Sequence, residues 1–350
     1  MCKLIEQKRL FNPDAKGVET MFGGETSGLL NLSHIPKEYE IFHKLVDTAY
    51  SNNWLPQKVN MAGDVSDYKN KLTEDEREAF DTLISFLAFL DSLQTNNLPN
   101  IFRYITNPHV VYFGARQAWD EAVHSKSYGW VLSSIMSKED AARLYNKWKE
   151  NKLLLERNKF IADIYQEFVD TPSELTFFKT VVANYILEGL YFYNAFQFFH
   201  NLASRGKMTA TDTQISYIQR DELIHCSGFE NIINILFKEN PDFSKYRSVI
   251  EDMFKTAAEW EVKFGLETIG NKVLGMSEQS LTDNIYYLGN KRLKAVGCNQ
   301  IFPKVQNPFA HLDKQSGAED ESSNRTNNFE GTSIAYKSPE VFKEEDWDDL

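Results

Sequence analysis

The sequence predicts an all-α protein, a bundle of four long helices with additional helices flanking it. Three observations predict it. Segments with a 3.6-residue apolar period dominate residues 36 to about 296 of the 350-residue chain, as expected where a helix repeats its buried face. Several of these segments exceed the usual helix length of about 11 residues. Val/Ile alternation bounded by hairpin turns, the mark of a sheet, is absent.

Residues 1–30 mix Gly, Pro and charge without periodicity and read as an N-terminal arm, residues 31–306 as the helical domain, and residues 307–350 as an acidic tail. Helices are expected near 36–52, 73–97, 108–136, 138–169, 172–204, 211–237, 243–269 and 277–296. In the first, Ile41, Phe42, Leu45, Val46 and Ala49 point one way, while Glu40, His43, Lys44 and Asp47 share a face that reads as water-facing. In the second, FLAFLDSLQ sets Asp91 on the face of Phe80, Ile84 and Leu87. The third places Glu121 and His124 with Gly114, Gln117, Ala118, Tyr128, Leu132 and Ile135, and puts Arg116, Asp120 and Lys126 on the opposite side. In the fifth, Glu188 shares its face with Phe177, Val181, Phe192, Ala195 and Phe199. In the sixth, Glu222 sits amid Ile215, Ile218, Phe229, Ile233 and Leu236. The fourth, seventh and eighth are read from their period alone.

An apolar content of 42% over 350 residues supports a sizeable core. Three scattered cysteines, Cys2, Cys226 and Cys298, with no CxxC pair, argue for a reducing compartment, and a cytoplasmic home is expected. The N-terminus lacks the apolar core of a signal peptide, and no run approaches the roughly 18 residues that span a bilayer. A net charge of -12 without a basic stripe counts against nucleic acid as a partner. Residues 312–350 hold eleven Asp or Glu against four Lys or Arg, yet Phe329, Tyr336, Phe342, Trp347 and Leu350 punctuate them. Spaced apolar anchors in an acidic segment suit a peptide that orders on a partner protein.

Four long helices thus aim a carboxylate inward: Asp91, Glu121, Glu188 and Glu222. Burying one unpaired ion costs several kcal/mol, and four would exceed the roughly 5–15 kcal/mol by which a whole domain is stable. No inward Lys or Arg is evident on those faces, and protonation does not comfortably neutralise all four acids. Two divalent cations balance four carboxylates, and His124 and His225, each three residues after an inward glutamate, add one neutral imidazole apiece. Along the chain the order is carboxylate, ExxH, carboxylate, ExxH, the two-fold pattern of a ferritin-like dimetal carboxylate bundle. Oxygen-rich ligation with one imidazole per ion suits iron or manganese, and the lack of thiolates argues against structural zinc. A third ExxH, Glu40/His43, lies on the water-facing side of its helix.

At these residues the chain resembles the small, radical-generating β subunit (R2) of class I ribonucleotide reductase. DSLQ after an apolar run, EAVHSKSY, LEGLYFY and RDELIH stand in that family's order, with NNWLP upstream. The resemblance implies Asp91, Glu121 and His124 at one metal and Glu188, Glu222 and His225 at the other, with at least one bridging carboxylate. It implies a radical at Tyr128, formed by oxygen-activated metal, in an apolar pocket of Phe192, Phe196 and Ile218. It implies a relay from His124 through Asp221 and Trp54 to Tyr336 in the tail, with EEDWDDL docking on the large catalytic subunit of a ribonucleoside-diphosphate reductase. A homodimer is expected. Asp91 together with Tyr128 fits the di-iron branch, with dimanganese and manganese/iron pairs as alternatives. The competing readings are a dimetal oxidase or desaturase acting on its own substrate, which would need a cavity at the metals, and an iron-storage protein.

Overall fold

Helix starts are written in the sequence by polar caps. Thr73 and Glu76 exchange hydrogen bonds in a capping box, the Glu76 amide donating to Thr73 Oγ1 at 3.2 Å and the Thr73 amide to Glu76 Oε2 at 3.0 Å. Asn107 caps a helix whose first residue is Pro108, where a missing N–H costs nothing. The computed structural model describes residues 4–15 and 20–316. Its helices are α1 Glu40–Ser51, α2 Ala62–Asn70, α3 Glu74–Phe102, α4 Pro108–Ile135, α5 Lys138–Asn146, α6 Lys152–Asp170, α7 Glu174–Ile186, α8 Tyr193–Ser204, α9 Thr209–Glu239, α10 Arg247–Thr268, α11 Glu278–Ala295 and α12 Ala310–Ser316. The described residues contain no strand, only the isolated bridges Leu4–Ser173 and Phe22–Ile105, so the all-α expectation holds. None of the helices among them is long and apolar enough to cross a membrane.

Four packed segments, α3, α4, α9 and the α7–α8 pair, close around the centre. α3 lies against α4, α4 against α9, α9 against α7 and α8, and α7 returns to α3. The close approach of α4 and α9 depends on Gly228, where a Cβ would stand 2.0 Å from the Phe113 ring. α10 and α11 pair with each other on the flank, and α10 also reaches α6 and α7.

The structure divides two helices that the periodicity reads as continuous. The 138–169 segment breaks into α5, a 3-10 turn Lys147–Lys149, and α6, which restarts on an Asn151 cap whose Oδ1 accepts from Leu154 N at 2.9 Å. The 172–204 segment holds a π-helical turn, Leu187–Tyr191, between α7 and α8. Residues 180–202 are buried on every face, so no polar face exists there whose rotation would reveal the extra residue of the π turn in the sequence.

α2 has no counterpart in the sequence reading because AGDVSDYKN lacks an apolar stripe. Its role is polar. Asp64 accepts from Ala210 N (3.1 Å), Thr211 N (2.6 Å) and Thr211 Oγ1 (2.7 Å), and Asp67 accepts from Met208 N (3.1 Å). These carboxylates satisfy the free amides at the start of α9, beside Met208 in its left-handed conformation at φ 52°. Part of the N-terminal arm is also built in: Met21 is fully buried and Phe22 stacks on Phe177 at 4.6 Å. Cys226 is buried and Cys298 half-buried, and neither is in a disulfide.

Candidate metal centre

Asp91 descends from α3, Glu121 and His124 from consecutive turns of α4, Glu188 from the π turn, and Glu222 and His225 from consecutive turns of α9. All six are buried, none more than 1% exposed. Both imidazoles turn Nδ1 toward the carboxylates. His124 Nδ1 lies 3.1 Å from Glu222 Oε1, 3.6 Å from Glu121 Oε2 and 3.8 Å from Asp91 Oδ2. His225 Nδ1 lies 2.8 Å from Glu222 Oε2, 3.3 Å from Glu121 Oε1 and 3.7 Å from Glu188 Oε2. The donor atoms form two groups, Asp91/Glu121/His124/Glu222 and Glu121/Glu188/Glu222/His225, each within 4.8 Å internally. Glu121 and Glu222 belong to both, so two glutamates stand between the halves.

Among the described residues no Lys or Arg pairs with these acids; their only basic partners are the two histidines. Burial, then the Glu121 and Glu222 charges, raises the Asp91 pKa well above the carboxylate range. Glu188 is raised in the same way. Burial also works to raise Glu222, but its approach to Glu188 and the two imidazoles hold it low. Burial alone would lower His124 and His225, and the surrounding carboxylates, Glu222 foremost, raise both instead. A pair of divalent ions would bring positive charge to these four buried acids. The group fits such ions: Asp91 Oδ1 and Oδ2, Glu121 Oε2, Glu188 Oε2, Glu222 Oε1 and His124 Nδ1 are buried without a hydrogen-bond partner, a costly state that coordination relieves.

Tyr128 lies one turn beyond His124 and is 1% exposed. Its hydroxyl has no well-formed hydrogen bond and faces Asp91, and burial together with the Asp91 and Glu222 charges raises its pKa well above that of an ordinary phenol. Phe192, Phe196 and Ile218 are all fully buried. On the outer side of His124, Nε2 stands 3.3 Å from Asp221 Oδ2, and the same oxygen accepts from the Trp54 indole N–H at 2.8 Å. The half-buried Trp54 ring lies roughly parallel to the imidazole, with centres 6.3 Å apart. Tyr336 and the tail anchors fall outside the described residues.

Several polar residues near the centre were not singled out from the sequence. Glu188 Oε1 accepts from the side-chain amides of both Gln94 and Gln117, the latter at 2.9 Å, and Gln94 Oε1 accepts in turn from Tyr165 OH at 2.8 Å. DSLQ already displays Gln94 three residues after Asp91, the spacing of one helical face. The π turn is held by two buried arginines from flanking helices, Arg157 donating to Tyr191 O and Arg292 to Gly189 O. Asp120 and Arg116, expected on the outer face of α4, are instead buried, because α1 and α9 cover that side. The Glu40/His43 reading is half corrected: Glu40 is exposed, but His43 is only partly so and meets His109 Nδ1 at 2.9 Å.

A sequence profile described as "Ribonucleotide reductase, small chain" matches residues 32–308. The chain belongs to that family. The β subunit of the ribonucleoside-diphosphate reductase of Treponema pallidum is 38% identical over 339 residues, 95% of each chain. The R2 subunit structure from Clostridium botulinum superposes with a TM-score of 0.87 at 37% identity, over 90% of this chain and 99% of that one. A Streptococcus sanguinis protein described as dimanganese(II)-NrdF shares the fold, with a TM-score of 0.70 at 20% identity over 82% and 98%. As a ribonucleotide reductase small chain, the protein is the β component of a class I enzyme, has the ferritin-like helical fold, and works with a large α subunit as a dimer. A dimetal carboxylate site belongs to this family, and the cluster above is its candidate here.

Proposed function

We propose that Asp91, Glu121 and His124 hold one iron ion and Glu188, Glu222 and His225 a second, with Glu121 and Glu222 between them, and that Tyr128 becomes the stored radical. The observation that carries this reading is the set of buried oxygen and nitrogen lone pairs facing one another without partners. When bound, the ion pair, activated by dioxygen, supplies the oxidising power for that phenol. The chain's own residues do the rest. Burial keeps water and reductants from Tyr128. Because the carboxylates and the apolar surroundings disfavour phenolate, an electron leaves Tyr128 only together with its proton, and Asp91 is the carboxylate beside that hydroxyl. His124, Asp221 and Trp54 form the hydrogen-bonded route outward, and Tyr336 with the EEDWDDL terminus continues it to the large subunit, where ribonucleoside diphosphates are reduced.

Loading the apoprotein separately with Fe(II) and Mn(II), followed by dioxygen, metal analysis and EPR, tests the site. We expect two ions per chain and a sharp tyrosyl signal in the iron-loaded form. Fewer than two ions, or no radical with iron, would remove this assignment. Deleting residues 330–350 should leave radical yield unchanged and end association with the large subunit. Undiminished binding in a pull-down with that subunit would refute the role of the tail.

A further inference from the structure

The two ExxH motifs are longer than they first look. Each is preceded by an aspartate, giving DEAVH at 120–124 and DELIH at 221–225. The two aspartates are used crosswise. Asp221, from α9, meets the imidazole of α4: its Oδ2 is 3.3 Å from His124 Nε2. Asp120, from α4, meets the imidazole of α9: its Oδ2 is 3.4 Å from His225 Nε2. Asp120 is 3% and Asp221 1% exposed.

We propose that Asp120, braced by Arg116, is the positioning residue for His225, and that it anchors this imidazole without opening a route for charge. The inference rests on His225 being a ligand, as proposed above. With Nε2–H given to Asp120, the Nδ1 lone pair faces Glu222 Oε2 at 2.8 Å and Glu121 Oε1 at 3.3 Å, where an ion would sit. A hydrogen bond of this kind fixes both the tautomer and the ring plane of a metal-binding histidine.

What lies behind each aspartate differs. Behind Asp221 is the Trp54 indole, an oxidisable ring, with its N–H 2.8 Å from Oδ2, while the Arg220 guanidinium stands off at 3.7 Å from the other oxygen, Oδ1. Behind Asp120 is the Arg116 guanidinium, with Nη2 at 2.7 Å from Oδ1 and Nε at 3.0 Å from Oδ2. Arg116 is fixed in turn by Asn53 Oδ1 at 2.7 Å and Ala49 O at 3.0 Å. A guanidinium is always charged and planar, made to grip a carboxylate at two points, and it has no accessible lower-potential electron to give. The same Asp–His device therefore ends in a redox-active ring on one side of the cluster and in an inert cation on the other. Asn53 and Trp54 are adjacent, so a single loop after α1 braces both imidazoles.

The test is anaerobic Mn(II) titration of the full-length protein, followed by calorimetry and EPR, in the wild type and in Asp120→Asn, Arg116→Lys and Asp221→Asn, with apoprotein melting as a control. In Asp120→Asn one of the two ions should bind about 10–100-fold more weakly, while the other keeps its affinity and the apoprotein its melting temperature. Arg116→Lys, which keeps the charge but loses the fork, should weaken the same ion to a smaller degree. Asp221→Asn should weaken the other ion. If Asp120→Asn does not fold, Arg116→Lys decides alone. Wild-type affinity at both ions in these variants would overturn the proposal. So would equal weakening of both ions with a lowered apoprotein melting temperature, the mark of a general structural role. A wild type that fails to bind two ions would instead overturn the metal assignment itself.

Discussion

Tyr128→Phe should abolish the tyrosyl EPR signal and reduce turnover with the large subunit to background, while two ions per chain remain bound. The hydroxyl oxygen is the only heavy atom removed, and it makes no well-formed hydrogen bond in the buried site. Removing an unsatisfied buried polar group is close to neutral or stabilising, within about 1 kcal/mol, so the fold and the cluster persist. The chemistry does not, because phenylalanine offers no O–H from which an electron and a proton can leave together. Iron content, EPR after oxygen exposure, and dNDP formation measured on the same preparation check this. Full turnover in the variant would make the metals themselves the stored oxidant.

The four segments of the candidate site are legible in the sequence because a carboxylate amid Phe, Ile and Leu is an electrostatic anomaly that periodicity exposes. Asp91 within FLAFLDSLQ and Glu222 within the Ile218–Phe229 stripe are both fully buried, as that anomaly requires. Breaks in the helices were harder to see. The turn at Lys147–Lys149 keeps charged residues where a surface helix would also keep them, and the π turn at Leu187–Tyr191, with Glu188 its one charged residue, lies in a stretch buried on every face. α2 was invisible for the opposite reason: its stabilisation comes from Asp64 and Asp67 capping a helix 141 or more residues away, and such long-range capping leaves no local pattern.

The site was legible where residues act through their own helix face and less so where they act across helices. Asp120 and Arg116 look like surface charges on α4 taken alone, and only the packing of α1 and α9 over that face buries them. Their one signal in the sequence is internal: an aspartate precedes the glutamate in both DEAVH and DELIH. His43 shows the reverse: its exposed neighbours Glu40 and Lys44 conceal a contact with His109 made through α4.

Asp221→Asn should reduce turnover with the large subunit by about 10–100-fold or more at saturating iron, with the Tyr128 radical still formed. One oxygen, Asp221 Oδ2, serves both the His124 ring at 3.3 Å and the Trp54 indole at 2.8 Å. An asparagine can present its carbonyl at that point, so both hydrogen bonds survive in outline. What is lost is the negative charge that makes the oxygen a strong acceptor and stabilises positive charge arriving on either ring. Trp54→Phe removes the indole N–H and the oxidisable ring together and should lower turnover at least as far. At saturating iron both ions are in place, so the Tyr128 EPR signal should appear in both variants and then fail to decay when the large subunit and a substrate analogue that traps the radical are added. Decay of that signal at the wild-type rate in Asp221→Asn would show that charge leaves the cluster by a path other than His124, Asp221 and Trp54.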